Sequence, residues 1–307
     1  RFLRSTRLWV FFKLTRAYAY DLRRYLRYSA TVALRTRENQ EAAIIMCYHR
    51  IEKALSLKRP RAGFGKGTVR QLINSLFGYC ESYGVDETVR AALSALDSYF
   101  EFHGSLDDEL NELKRQTQEL KRRFLGSEQE SPGGVTRVTK NGILADSLID
   151  FSRFSTSRRS VRNFAPGTIP IHEIKRAVEM AQRTPSVCNR QMWRVHVFVD
   201  HESKQRILKY QNGNRGFGED AAAILVVTTS LSYFMGVGER NQAYIDGGMY
   251  AMNIVYALHS MGYGTCCLNL SLEPGVDLKL RKAADIPPEE ALIMMIAVGH
   301  LPDELLV

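Results

Sequence analysis

"TPSVCNRQMWRVHVFVD", residues 184–200, leaves one regular pattern and enters another. Upstream, "IPIHEIKRAVEMAQRT" (169–184) returns apolar residues at helical spacing behind Pro170, a residue suited to a first helical turn. Downstream, "WRVHVFVD" (193–200) alternates as a half-buried strand. Between them Pro185 cannot continue the helix, and Asn189 and Gln191 can satisfy turn backbone. The same amides suit the edge of a flat heterocycle, because each offers a donor and an acceptor. Helix, polar corner and strand in quick succession mark this part of the chain as mixed α and β.

The pattern extends to the C-terminus. "AAAILVVTT" (221–229) is the continuous apolar run of a fully buried strand. A long helix is expected over 241–262, with small residues midway, followed by a Gly-punctuated strand, "YGTCCLNL". A short helix (276–285) and a last strand, "ALIMMIAVG" (291–299), end the domain, and residues 144–154 precede it as a short helix. The first 125 residues show no strand alternation and predict helices at 40–57, 68–83, 86–102 and 107–125, the last acidic at its start and basic at its end, as the helix dipole prefers. "GSEQESPGGVTRVTKNG" (126–142) reads as a linker between a helical domain (1–130) and an α+β domain (143–307), in which a mixed sheet is flanked by helices.

The charge is uneven. Residues 1–37 hold ten Arg or Lys and one acid, Asp21, whereas the rest of the chain balances 32 basic against 32 acidic groups. The basic excess belongs to one terminal segment, so the body needs no polyanionic partner, and no nucleic-acid motif accompanies it. "RFLRSTRLWVFFKLTRAYAYDLRRYLRY" (1–28) interleaves Arg with aromatics. Such a helix either lies on an anionic membrane surface or packs its aromatic side on the protein and shows Arg to water. Five cysteines without C-x-x-C or zinc spacing, and no apolar run long enough for a span, predict a cytoplasmic, reduced protein, associated with the inner membrane face if the first segment binds there. The chain begins at Arg1 rather than Met, as a fragment would.

Three stretches call for one explanation. "SRRSVRNF" (157–164) places three arginines and a serine within five residues, a solvated cluster or an anion site, since guanidinium forks match phosphate oxygens. The second is the corner at 184–193, and the third is "IDGGMYAMN" (245–253) with "GYGTCCLN" (262–269). In order and spacing they read R-R-S-x-R-x-F, P-S-x-x-N-x-Q-x-W, D-x-G and G-x-G. Together they resemble the nitroreductase family, flavoproteins that hold FMN in a dimer cleft, over about residues 145–300.

The resemblance implies roles. Arg158, Arg159, Ser160 and Arg162 match the segment holding the FMN phosphate and ribityl chain. Pro185, Ser186, Val187 and Asn189 match the turn along the flavin ring. Asn214 matches a ring-edge amide. Cys267, Leu268 and Asn269 fall where backbone approaches flavin N5, and Asp246, Gly247 and Gly248 lie on a central dimer helix. It further implies a homodimer, a small-molecule substrate, NADH or NADPH as donor, and hydride transfer through the flavin, with no side-chain nucleophile and no metal. The alternative is an interaction module, with or without flavin, docked by its helical domain to a membrane or a partner.

Three departures stand out. "GHLP" (299–302) replaces an expected G-Y-P, little chain follows the last strand, and the lid segment 230–240 is short. In it Tyr233, Phe234 and Met235 either roof the pocket or join the core. His49 and Glu52 lie one helical turn apart but lack the further ligands of a di-metal site. "RPRAGFGKG" (59–67) lacks the strand and spacing of a phosphate loop. The stretch from Tyr48 to Ile73 is similar to an extension on some nitroreductase-like proteins found with surface-polysaccharide genes.

Overall fold

The computed structural model describes residues 7–56, 60–104, 107–125, 134–135 and 150–303. Contacts divide the chain into two compact units. One comprises Arg1–Val32, Asp150–Pro185 and Gln191–Val307; the other comprises Ala33–Ile149 and Ser186–Arg190. This differs from the sequence reading in two places. The first helix joins the sheet unit, and five residues of the polar corner join the helical one.

The helical unit contains α2 (Arg37–Leu55), α3 (Lys66–Tyr83), α4 (Glu87–His103) and α5 (Asp108–Phe124). Short polar side chains start three of them. Thr36 and Asn39 form a capping box on α2, Asp86 accepts from Val89 N at 3.0 Å, and Asp107 accepts from Leu110 N at 2.9 Å. Their inward faces, including Ile44, Ile51, Leu72, Leu76, Leu93, Leu96 and Leu113, are buried almost completely. Most of the expected linker lies outside the described residues, but Gly134 N donates to Glu52 Oε1 at 3.0 Å, which fastens that point to α2.

In the sheet unit, α1 (Arg7–Tyr28), α6 (Phe151–Ser157), α7 (Ile171–Ala181), α8 (His201–Leu208), α9 (Gln242–Ser260) and α10 (Pro274–Ala284) accompany four strands. These are β1 (Trp193–Phe198), β2 (Ala223–Ser230), β3 (Tyr263–Asn269) and β4 (Glu290–His300) in the order β1-β2-β4-β3. All three ladders are antiparallel, with a register shift between Val227 and Thr228 in the β2–β4 pair. The parallel pairing is a single bridge, Ser160 to Thr265. The fold is therefore α+β, as the switch from helical to alternating patterns predicts. β2 is buried along its whole length, which explains why its sequence is an unbroken apolar run. The sequence reading missed α8, an eight-residue helix capped by Asp200 with only Ile207 and Leu208 as buried apolar residues.

One face of α1 is fixed to this unit. Tyr20 donates to Asp277 Oδ2 at 2.6 Å, and Tyr25 to Gly236 O at 2.7 Å. The buried Arg24 donates to Pro288 O at 2.9 Å and Glu290 O at 2.6 Å. Burial holds the Tyr20 hydroxyl in its protonated form, with a pKa raised to about 12, and the Asp277 carboxylate adds to the effect. Just beyond the helix, Ala30 N donates to Phe234 O at 3.0 Å. Tyr233 and Phe234 are buried, so these two residues of the short lid segment belong to the core.

Candidate functional site

The arginine segment is held in place by backbone. Arg158 ends α6, Val161 N donates to Thr265 O at 2.9 Å, and Ala165 N donates to His300 O at 3.0 Å. The segment thus runs along the open edge of β3 and closes on the end of β4. Val161 and Phe164 point into the core, which leaves Arg159 and Arg162 exposed and Arg158 half-buried. Two glycines facing each other across the β3–β4 ladder, Gly264 and Gly299, make the approach possible. A Cβ at Gly299 would lie 2.5 Å from the Phe164 ring, and one at Gly264 would lie 3.0 Å from Val161. The phenylalanine of the R-R-S-x-R-x-F pattern is the anchor that seats the arginines.

β3 supplies the neighbouring edge. Thr265 O points away from β4 to reach Val161, and strand alternation puts the main-chain groups of Cys267 on that same edge. Cys267 and Asn269 are exposed, whereas the Leu268 side chain is buried in the core, so only its backbone is available to a ligand. Although its surface is open, crowding by neighbouring protein atoms desolvates the Cys267 thiol and raises it, the nearby Cys266 adds to this, and the positive charge of Arg158 opposes both. Among the described residues no carboxylate pairs with Arg158, Arg159 or Arg162. Arg159 donates to the Arg158 carbonyl at 3.1 Å and to the Thr156 carbonyl. The donor set therefore fits a multiply charged anion such as the phosphate of FMN.

Asn214, matched to a ring-edge amide in the sequence, is bonded within its own loop. Its amide nitrogen donates to Leu208 O at 2.8 Å and to the Gln211 carbonyl, and the residue is buried. Those bonds engage the amide nitrogen and fasten Asn214 to its own loop. Gln211 reaches the strand instead, donating to Asn269 O at 3.2 Å.

The polar corner is a strained turn. Cys188, Asn189 and Gln191 adopt φ values of 51°, 52° and 49°, a left-handed conformation that is costly for residues other than glycine. Asn189 N donates to Ser186 O at 2.9 Å, and the buried Arg190 donates through Nε to Val187 O at 3.2 Å. This gives the basic residue in the corner, to which the sequence reading assigned no role, a place in the turn. Pro185 and Asn189 are exposed, and Ser186 and Val187 are half-buried. Ser186–Arg190 packs on α2, where burial, and then the charges of Lys53 and Arg190, hold the His49 imidazole below its usual range. His49 Nδ1 lies 4.0 Å from Glu52 Oε2, and no group of three or more metal-binding side chains occurs among the described residues.

Behind the corner, the Trp193 indole donates to Gln182 Oε1 at 2.8 Å and stacks on Tyr250, with centroids 4.4 Å apart. Tyr250 lies on α9, whose Asn253 donates to Thr184 Oγ1 at 2.5 Å. On the same helix Gly247 brings α9 against the sheet, since a Cβ there would lie 2.6 Å from Ile293. Asp246 is buried and accepts from Gln242 at 2.7 Å, while Gly248 faces open space.

Against known proteins, the model of the nitroreductase family matches residues 156–213 and 199–300. Residues 156–300 are thus similar to the nitroreductase family. Protein DrgA of Synechocystis sp. is 25% identical to the chain over 180 residues, which span 48% of this chain and 82% of DrgA. Among solved structures, an FMN-dependent nitroreductase of Clostridium difficile is 20% identical and covers 50% of this chain and 88% of its own, with a TM-score of 0.43. A nitroreductase family protein of Streptococcus pneumoniae is also 20% identical, covering 52% of this chain and 94% of its own at a TM-score of 0.45. The arginine segment, β3 and α9 all fall inside the nitroreductase match. The helices α2 to α5 lie outside it.

Proposed function

We propose that the nitroreductase domain is an FMN-dependent oxidoreductase that uses NADH or NADPH to reduce a small organic acceptor. The observation that carries this reading is the arginine segment, bonded to the β3 edge by main chain and lacking acidic partners among the described residues. Bound FMN would supply the redox chemistry, accepting hydride at N5. The chain's own part is to bind and orient. Arg158, Arg159 and Arg162, with Ser160, hold the phosphate end. The Cys267–Asn269 edge offers main-chain hydrogen bonds to the ring, and the turn Pro185–Asn189 offers a rigid polar surface for it. That the arginines and the turn serve one cofactor rests on the order and spacing of their motifs.

The reading includes a homodimer. On α9, Ile245 and Met249 are exposed, and Met252 and Tyr256 continue their line half-buried, an apolar stripe at helical spacing. A second copy of the same helix would cover it. Changing Arg158 and Arg162 together to Ala should strip FMN from the purified protein while circular dichroism and melting temperature stay unchanged. Undiminished flavin content in that variant would remove the assignment.

A further inference from the structure

Among the described residues, the side chains along one face of α1 are exposed. Its inner face is occupied by the bonds of Tyr20 and Arg24 and by the Lys13–Glu273 ion pair at 2.6 Å, while Tyr25, seven residues after Tyr18, is buried at the end of the opposite row by its bond to Gly236 O. Asp21, the single acid of residues 1–37, lies on this side and lines a cavity of about 270 Å³ with Tyr20, Arg24 and Asp277. The outer face carries Phe11, Tyr18, Leu22 and Leu26, spaced seven, four and four residues apart, which aligns them along the helix. The first three are 62%, 72% and 58% exposed, and Phe12, at 61%, lies beside them. Arg16, Arg23 and Arg27 repeat the seven-and-four spacing one step around and border the stripe, all exposed.

We propose that this face of α1 docks on an anionic lipid surface, with the apolar line entering the headgroup boundary and the arginine row meeting the phosphates. The charge pattern selects lipid over a second copy. Two copies of the face, each without an acid, would set arginine rows against one another, whereas an anionic bilayer satisfies both the apolar stripe and its basic border. No helix among the described residues is long and apolar enough to cross a membrane, so the contact is one of lying on the surface. The inference stands apart from the flavin reading, and its variants leave every proposed FMN ligand untouched.

Deletion of residues 1–28 is a poor test, because it also removes Arg24 and Tyr25 from the interior of the sheet unit. Point changes on the outer face avoid this. The full chain is sedimented with vesicles of phosphatidylcholine alone and of phosphatidylcholine with phosphatidylglycerol at 3:1. Binding is expected to the anionic vesicles and to weaken steeply with salt. Y18S/L22S should reduce it on the order of tenfold, and R16Q, R23Q and R27Q about fivefold each, with melting temperature and flavin content unchanged. Equal binding to both vesicle types, or retention of binding by Y18S/L22S, overturns the proposal. So does loss of a dimer by Y18S/L22S in sedimentation velocity without vesicle binding by the parent chain, which would assign the face to a second copy.

Discussion

Gly299 governs the arginine segment from beneath. With Phe164 2.5 Å from where a Cβ would stand, Gly299→Ala must push the ring and the segment carrying it. The expected loss is ~1–3 kcal/mol of stability, as for other overpacked cores. A weaker FMN affinity should accompany it, because Arg162 and Phe164 share the displaced backbone. Thermal melting and a flavin titration check both. Glu290 offers a pH test. Burial would raise its carboxyl, but hydrogen bonds from His196 (2.7 Å) and Thr228 (2.5 Å), helped by the charges of His196 and Arg194, outweigh it and hold the group below the usual range. A depressed carboxylate stabilises the fold above its unfolded pKa, about 4.3, and this contribution is lost as pH falls through the lower folded value. Glu290→Gln should therefore cost ~2 kcal/mol near neutrality, and the gap to the parent should close in acid. A gap that stays constant down to pH 3 contradicts this reading.

The corner turn shows where sequence reading succeeds at the scale of an element and where it stops. Three left-handed residues without glycine are strain that the surrounding bonds must hold, among them Arg190 to Val187 O. Cys188→Gly should relax the turn, leaving stability unchanged or raised by up to ~1 kcal/mol, yet loosen FMN binding. Tighter binding in that variant contradicts a rigid ring surface. The turn itself was legible, because Pro185 ends a helix and Trp193 opens a strand. Its packing on α2 was not, since local periodicity says nothing about contacts distant in sequence. The same limit applies to α1. Its interleaved arginines and aromatics were visible, but Tyr25 is buried while Phe11, Tyr18 and Leu22 face outward, an orientation fixed by the bonds of Tyr20, Arg24 and Tyr25. Asn214 was read as a ligand from its neighbourhood in sequence, whereas the carbonyls of Leu208 and Gln211 engage it. α8 escaped notice because eight residues with two buried apolar positions produce little periodic signal.

For the whole molecule, an FMN-binding homodimer requires the exposed stripe of α9 to be covered. Ile245→Asp with Met249→Asp should yield a monomer in sedimentation velocity, and flavin content should fall with it. A dimer of unchanged stability would remove α9 from the interface. Most of the α+β architecture was readable from alternation, long apolar runs and glycine placement, because these report burial directly. The purpose of α2 to α5 was not readable, and the packing of α2 against the turn now gives that helix a physical link to the proposed ring surface. The most direct test is the absorbance spectrum of the intact, folded chain after incubation with excess FMN and removal of free cofactor. The account predicts a yellow protein with the absorption bands of bound flavin, which bleach when NADH or NADPH is added. A folded protein that emerges colourless contradicts it.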